Sequence, residues 1–163
     1  MGLHLSTETR IRLSGSPIAR VYARTHEWMY RVSGGRLGAR IRGEGREAGP
    51  PVLLLTTTGR RTGKIRTSPL LYLRAGQDLV VAASNAGNPK APKWWYNLQT
   101  DPHAVVQMGS ERLRVVATEV TGPRRDDLWR QYLQMYESLR EYQHATARPI
   151  PLAALRRVER TRA

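Results

Sequence analysis

The sequence predicts an α+β protein built on a split β-barrel of mostly antiparallel strands with flanking helices. Three observations lead there. Short runs rich in Val, Leu, Thr and Tyr follow one another quickly after residue 52. The connections between them are too short for the helical crossovers that parallel strands need, so neighbours pair antiparallel. Helical patterns stand at both ends with a third inserted midway, an order that suits a small sheet hiding its edges by closing on itself.

Taken in order, residues 1–15 show no period and are expected to be loosely ordered, ahead of a single domain over 16–158 and a tail over 159–163. Ser16 and Pro17 supply an N-cap and first position for a helix that stops at Gly34-Gly35. Ile18, Val21, Tyr22, Thr25, Trp28, Met29 and Val32 recur at spacings of three and four, giving it one apolar face, with Arg20, Arg24 and Arg31 elsewhere around it. Such a basic amphipathic helix can pack on its own domain, touch an anionic membrane surface through its arginines and Trp28, or do both. Residues 36–50 are glycine-rich and charged and read as a long connection.

Strands are expected at 52–58, 68–74 and 79–84, the last two joined by the turn Ala75-Gly76-Gln77-Asp78. Residues 85–93 form a loop with Pro89 and Pro92, and 94–98 a short helix ending near Asp101-Pro102. A hairpin of 104–108 and 113–120 turns at Gly109-Ser110. Thr121-Gly122-Pro123 opens a second long helix with Asp126 and Asp127 in its first turns, where the dipole favours them. Leu128, Trp129, Tyr132, Met135, Tyr136, Leu139 and Tyr142 continue its apolar spacing, and 150–158 is a last strand.

The chemistry concentrates in Thr56-Thr57-Thr58-Gly59-Arg60-Arg61-Thr62-Gly63-Lys64-Ile65-Arg66-Thr67-Ser68-Pro69, which joins the first two strands. Two glycines permit a tight turn, while Arg60, Arg61, Lys64 and Arg66 gather positive charge beside hydroxyls and exposed N–H groups. That combination suits a phosphate or carboxylate. It is not a Walker A loop: one residue too few separates Gly59 from Gly63, and Lys64 is followed by Ile65 instead of Ser or Thr. Gly43, Gly45 and Gly49 likewise miss the dinucleotide spacing.

Composition narrows the classes further. The 163 residues suit one domain. No cysteine is present, which excludes thiolate catalysis, zinc-thiolate sites and iron-sulfur clusters. The four histidines show no metal-ligand spacing, so no metal is expected. A formal charge of +14 favours an anionic partner, whether nucleic acid, membrane or small molecule. There is no apolar run of membrane-spanning length and no signal-peptide core, and a cytoplasmic protein is expected, peripheral on the inner face of the membrane if the first helix docks there.

Leu53-Leu54-Leu55 with Thr56 to Gly63, then Arg66, Pro69-Leu70, Val81-Ala82-Ala83-Ser84, Trp94 with Asn97-Leu98, Asp101-Pro102 and Val106-Gln107 together resemble the deazaflavin (F420)-dependent nitroreductases of actinobacteria. Trp28-Met29-Tyr30-Arg31, Met135-Tyr136 and Tyr142 extend the resemblance. It implies a split β-barrel that binds coenzyme F420, an 8-hydroxy-5-deazaflavin, and passes hydride to a quinone or nitro compound. It also implies that Arg60, Arg61, Thr62, Gly63 and Arg66 hold the coenzyme's phosphate and oligoglutamate tail. Thr67, Ser68, Pro69, Leu70, Leu71, Ala82, Ala83, Ser84, Asn85, Lys93, Trp94, Trp95, Tyr96 and Asn97 would line the deazaflavin, and Ser84, Tyr136 and Tyr142 would face the substrate. The chain departs from the family pattern at Leu139, where a tyrosine is expected, and at Asn85, where a lysine is. An FMN-dependent split-barrel enzyme and a basic nucleic-acid-binding barrel are the competing readings. The density of cations at the turn favours the longer anionic tail over FMN's single phosphate, and basic residues scattered through loops and termini argue against nucleic acid.

Overall fold

The computed structural model describes residues 49–158. The expected N-terminal helix, the segments 1–15 and 36–48 and the tail 159–163 lie outside the described residues. The elements are β1 (Val52–Thr58), β2 (Ile65–Leu71), β3 (Leu73–Ala75), β4 (Asp78–Ala82), a 3-10 turn (Asn85–Gly87), α1 (Lys93–Thr100), β5 (His103–Met108), β6 (Glu111–Val120), α2 (Gly122–Met135), α3 (Ser138–His144) and β7 (Leu152–Arg157). Among the described residues, no helix is long and apolar enough to cross a membrane.

All seven strands join one antiparallel sheet in the order β2-β1-β5-β6-β7-β4-β3. Its two edges, β2 and β3, are consecutive in the chain and separated by Tyr72 alone. The sheet therefore curls until its ends meet at a bend, which makes it a barrel, and splits where the bend carries β2 away from β4. The expected single strand 68–74 is thus two strands. Continued past Leu73↔Val80, the β3–β4 register would set Leu71 opposite Ala82. Instead the Tyr132 hydroxyl stands there, donating to the Leu71 carbonyl at 2.5 Å while its own oxygen accepts the Ala82 amide. A phenol from α2 thus takes the place of a ladder hydrogen bond at the head of the split, and burial pushes its pKa well up.

Strand alternation sorts the apolar residues into two cores. Leu53 and Leu55 of β1, Leu79 and Val81 of β4, Val106 of β5, Val115 of β6 and Leu155 of β7 point into the barrel, where Trp94, Trp95 and Leu98 of α1 plug one end. Val80 of β4 with Leu152 and Ala154 of β7 point the other way, under Leu128 and Tyr132 of α2 and Leu139 and Tyr142 of α3. Being covered on both faces explains why β4 and β7 read as unbroken apolar runs. Each fully buried Leu or Val contributes about 1.5–3 kcal/mol.

The second long helix is interrupted. Tyr136 is extended (φ −143°, ψ 90°), and a new helix starts at Ser138. Both pieces bury into the same cluster, so the apolar spacing runs on across a break it cannot reveal. Asp126 and Asp127 fall beyond the first turn, where the N-terminal dipole is weaker. The last strand is shorter than expected, since Ile150 and Pro151 precede it. At the β3–β4 hairpin Asp78 is buried, and its carboxylate accepts from Arg156 (2.8 and 3.1 Å) and Arg124 (2.5 Å).

Candidate active site

The register places the chemically suggestive segments at one barrel end. Thr56 pairs with Val105, His103 with Val116, and Leu152 with both Val120 and Ala82, so the C-terminal ends of β1, β4 and β6 lie beside the start of β5 and β7. The 59–64 turn, the loop after β4 and α1 all leave from this end. The β5–β6 and β3–β4 hairpins close the other.

The arginine turn is tied within itself. The Gly59 amide donates to the Lys64 carbonyl (2.9 Å), and the Gly59 carbonyl accepts from Thr62 (3.2 Å) and Gly63 (2.7 Å). Gly63 sits at φ 65°, a left-handed conformation that a side chain would strain. From α1, buried Asn97 reaches in: its Oδ1 accepts the Arg60 amide at 3.1 Å, and its Nδ2 donates to Thr57 Oγ1 at 3.0 Å. The side chains are left outward. Arg61, Lys64 and Arg66 are exposed and pair with no carboxylate among the described residues, while Arg60 lies 4.9 Å over the Tyr96 ring. Unneutralised cations on a braced turn fit an anionic ligand, and this donor set suits a phosphate with several carboxylates.

Along β2, Thr67, Ser68 and Pro69 are half-exposed on a strand that pairs only through β1, which is where a proline is tolerated. Thr67 shares a 3.0 Å hydroxyl contact with Thr56. Leu70 leans on the barrel core and Leu71 on the outer one. In α1 Lys93, Gln99 and Thr100 are exposed and Tyr96 is half-buried. Trp94 and Trp95 are buried, edge to face at 6.3 Å, and Asn97 is occupied in bracing the turn.

Across the split, Ala83 is fully buried, with its amide on the Pro151 carbonyl at 2.9 Å. Ser84 is half-exposed, and its hydroxyl has no partner among the described residues. Asn85 and Ala86 follow at φ 47° and 51°, positive values that non-glycine residues seldom adopt, and Asn85 donates to the Lys90 carbonyl at 2.8 Å. Gly87 packs so tightly on α3 that a Cβ would meet the Tyr142 carbonyl and the Ala145 methyl at 2.9 Å. This contact brings the Ser84 loop beside the tyrosines, whose hydroxyls, Tyr136 and Tyr142, lie 3.1 Å apart. Tyr142 is mostly buried, Tyr136 half so, and Leu139 is fully inside.

Two residues acquire roles that the sequence did not disclose. Asn97 braces the turn, and Arg148 places its guanidinium on the carbonyls of Ala83, Ser84 and Asn88. Neither spacing nor charge pattern marks them, because their partners, mostly main-chain groups, lie far along the chain. Cavities open among the described residues. One of about 560 Å³ opens at the opposite barrel end by Arg74, Met108, Leu113 and Arg156, and one of about 320 Å³ lies between α1 and β6. Of the expected site residues only Trp95 borders either of these.

A family model described as F420H(2)-dependent quinone reductase matches residues 22–157. An F420H(2)-dependent quinone reductase of Mycobacterium tuberculosis is 38% identical over 142 residues, covering 82% of this chain and 89% of that protein. Among solved structures, an F420-H2 dependent reductase aligns with TM-score 0.60 and 33% identity, covering 69% of this chain and 99% of that one. A chain described as a domain-swapped dimer aligns with TM-score 0.62 and 30% identity, covering 86% and 99%. A heme binding protein of Mycobacterium smegmatis, 19% identical with TM-score 0.53 over 67% of this chain and 47% of that one, shares the fold.

Proposed function

The chain belongs to the F420H(2)-dependent quinone reductase family, and on that premise we propose that it oxidises reduced coenzyme F420 by hydride transfer to a quinone-like acceptor, with nitro-organic compounds as a second class of acceptor. The observation that carries the reading is the convergence, at one barrel end, of a braced turn whose exposed cations pair with no carboxylate among the described residues with a hydroxyl and two phenols across the split.

In this reading Arg60, Arg61, Lys64 and Arg66 attract the coenzyme's phosphate and carboxylates, Arg60 from its place over the Tyr96 ring. Hydrogen bonds to such charged groups contribute about 1.5–3 kcal/mol each. The half-exposed face of β2 and Tyr96 line the ring on one side of the split, and the Ser84 loop lines the other. When bound, the reduced deazaflavin supplies the hydride, and the quinone takes one further proton from water to become the hydroquinone. The Tyr136 and Tyr142 phenols orient the acceptor's oxygen and stabilise the negative charge that develops there. Buried Leu139 sets an apolar floor behind them, suited to a flat hydrophobic acceptor. Peripheral contact with an anionic membrane through Trp28 and its neighbouring arginines belongs to the same proposal on the sequence pattern alone.

The experiment is a fluorescence titration with the deazaflavin coenzyme beside FMN at one salt concentration, followed by turnover with menaquinone and a nitroimidazole. Preferential deazaflavin binding and quinone reduction are expected. Preference for FMN, or binding of neither, would overturn the reading.

A further inference from the structure

Arg148 lies in the segment between α3 and β7, and its backbone is fixed from α3. Gln143 donates to the Arg148 carbonyl at 2.9 Å and accepts the Ile150 amide at 3.0 Å. From that anchored position Nε donates to the Asn88 carbonyl (3.1 Å), Nη1 to Ala83 (3.1 Å) and Nη2 to Ser84 (2.8 Å). The Ser84 carbonyl also accepts the Gly87 amide at 3.0 Å, so both its lone pairs are used. No carboxylate pairs with Arg148 among the described residues. A half-buried cation whose hydrogen bonds all go to carbonyls of one loop is there for the shape of that loop.

The loop needs such a restraint. Asn85 and Ala86 both hold positive φ, and non-glycine residues persist there only where their surroundings over-determine them. The strained pair follows Ser84 directly. Arg148 and the Tyr142 backbone against Gly87 both hold the loop, and the Ser84 hydroxyl makes no hydrogen bond among the described residues.

We propose that Arg148 is a positioning residue for hydride transfer: its three carbonyl contacts hold the 83–88 loop in its strained form so that the Ser84 hydroxyl stays in register with bound coenzyme and acceptor. This rests on the reading of Ser84 as a site residue given above. A guanidinium is required because its rigid planar fork meets three carbonyls at once, whereas an ammonium on a flexible stem would meet one or two.

The test uses the full chain as wild type, Arg148→Ala, Arg148→Lys, Ser84→Ala and the Arg148→Ala/Ser84→Ala double variant. In the coenzyme-free protein, amide exchange at Gly87 and Asn88, whose N–H groups close the 3-10 turn, should accelerate at least tenfold in Arg148→Ala. With reduced deazaflavin and a quinone, kcat should fall at least tenfold with KM within about threefold. Added guanidinium should restore part of kcat to the Ala variant. Loss of the Ser84 hydroxyl should cost at least fivefold less in the Arg148→Ala background than in wild type. Arg148→Lys should keep its melting temperature and still lose kcat, which keeps the proposal open to test if the Ala variant does not fold. Unchanged exchange and kcat in Arg148→Lys, or independent multiplication of the Ser84 and Arg148 effects, would overturn it. A wild-type protein that binds no deazaflavin would defeat the proposed function and the positioning role together, and the exchange rates would then decide the loop clamp alone.

Discussion

Oδ1 of Asn97 accepts the backbone amide of Arg60 at 3.1 Å, so the helix that plugs the barrel also fixes the head of the arginine turn. Removing that side chain leaves the part-buried Arg60 amide and the buried Thr57 hydroxyl without this partner. Asn97→Ala is expected to cost about 1–3 kcal/mol of stability. It should also weaken deazaflavin binding although Asn97 carries no charge. Thermal unfolding and fluorescence titration of the same preparation check both.

Arg60→Ala and Arg66→Ala should each weaken coenzyme binding by about 1.5–3 kcal/mol. Their side chains are exposed, so unfolding should hardly move. Affinity in the wild type should fall as salt rises, and less steeply in the double variant, because screening acts on the charges removed. Titration at several salt concentrations reads the affinities and their salt dependence, and thermal unfolding reads the stability.

Tyr136→Phe keeps the ring and removes the hydroxyl that faces Tyr142. Turnover should fall about tenfold, roughly 1.4 kcal/mol in the barrier, with coenzyme affinity nearly unchanged. Steady-state kinetics with a quinone and with a nitro compound separate the two quantities, and full activity with both acceptors would return Tyr136 to a packing role.

Tyr132→Phe unlinks the head of the split. The Leu71 carbonyl and Ala82 amide lose the oxygen between them, at a cost of about 1–3 kcal/mol. Faster amide exchange at Ala82 is the signature, because a simple loss of core packing would not single out that position.

Asp78 has its pKa held below the ordinary 3.8 by its hydrogen bond to Arg156, against the opposing effect of burial, with Arg124 adding to the lowering. A carboxyl whose folded pKa is depressed contributes stability that is complete above its unfolded pKa and is lost as pH falls through the folded one. The contribution should therefore persist through neutral pH and decline below 3.8. Arg124 and Arg156 are both more than half exposed, so solvent screens the pairs, and Asp78→Asn should cost only about 1–2 kcal/mol. Denaturant unfolding between pH 2 and 7 should show a shallower acid decline in the variant.

Much of the barrel was legible because its strands are apolar on the faces they bury. Leu53 and Leu55, Val80 and Val81, and Leu152 to Leu155 mark themselves by composition. β2 was the harder strand: Arg66, Thr67 and Ser68 carry no apolar signal, and their strand character comes from pairing with Thr57, Thr56 and Leu55. The bend at Tyr72 and the break at Tyr136 are set by tertiary contacts, one by the Tyr132 hydroxyl and one by a shared core, and neither contains a glycine or proline to announce it. At the site, the charge of the turn was plain from Arg60 to Arg66. Its bracing by Asn97, and the grip of Arg148 on carbonyls more than fifty residues earlier, are side-chain hydrogen bonds to distant, largely main-chain groups, which local patterns do not encode.

The last strand in the chain lies inside the sheet, between β6 and β4. While the polypeptide is being synthesised, β4 and β3 can form their hairpin early, and β2, β1, β5 and β6 can assemble beside it, but the two pieces stay unjoined until β7 arrives. Ala82 waits for Leu152, a delay of roughly 4–14 s at ribosomal speeds of about 5–20 residues per second. For that interval the β4 edge that β7 will cover stands unpaired, joined by the edge of β6 once that strand is made, and each can accept a strand from a neighbouring nascent chain.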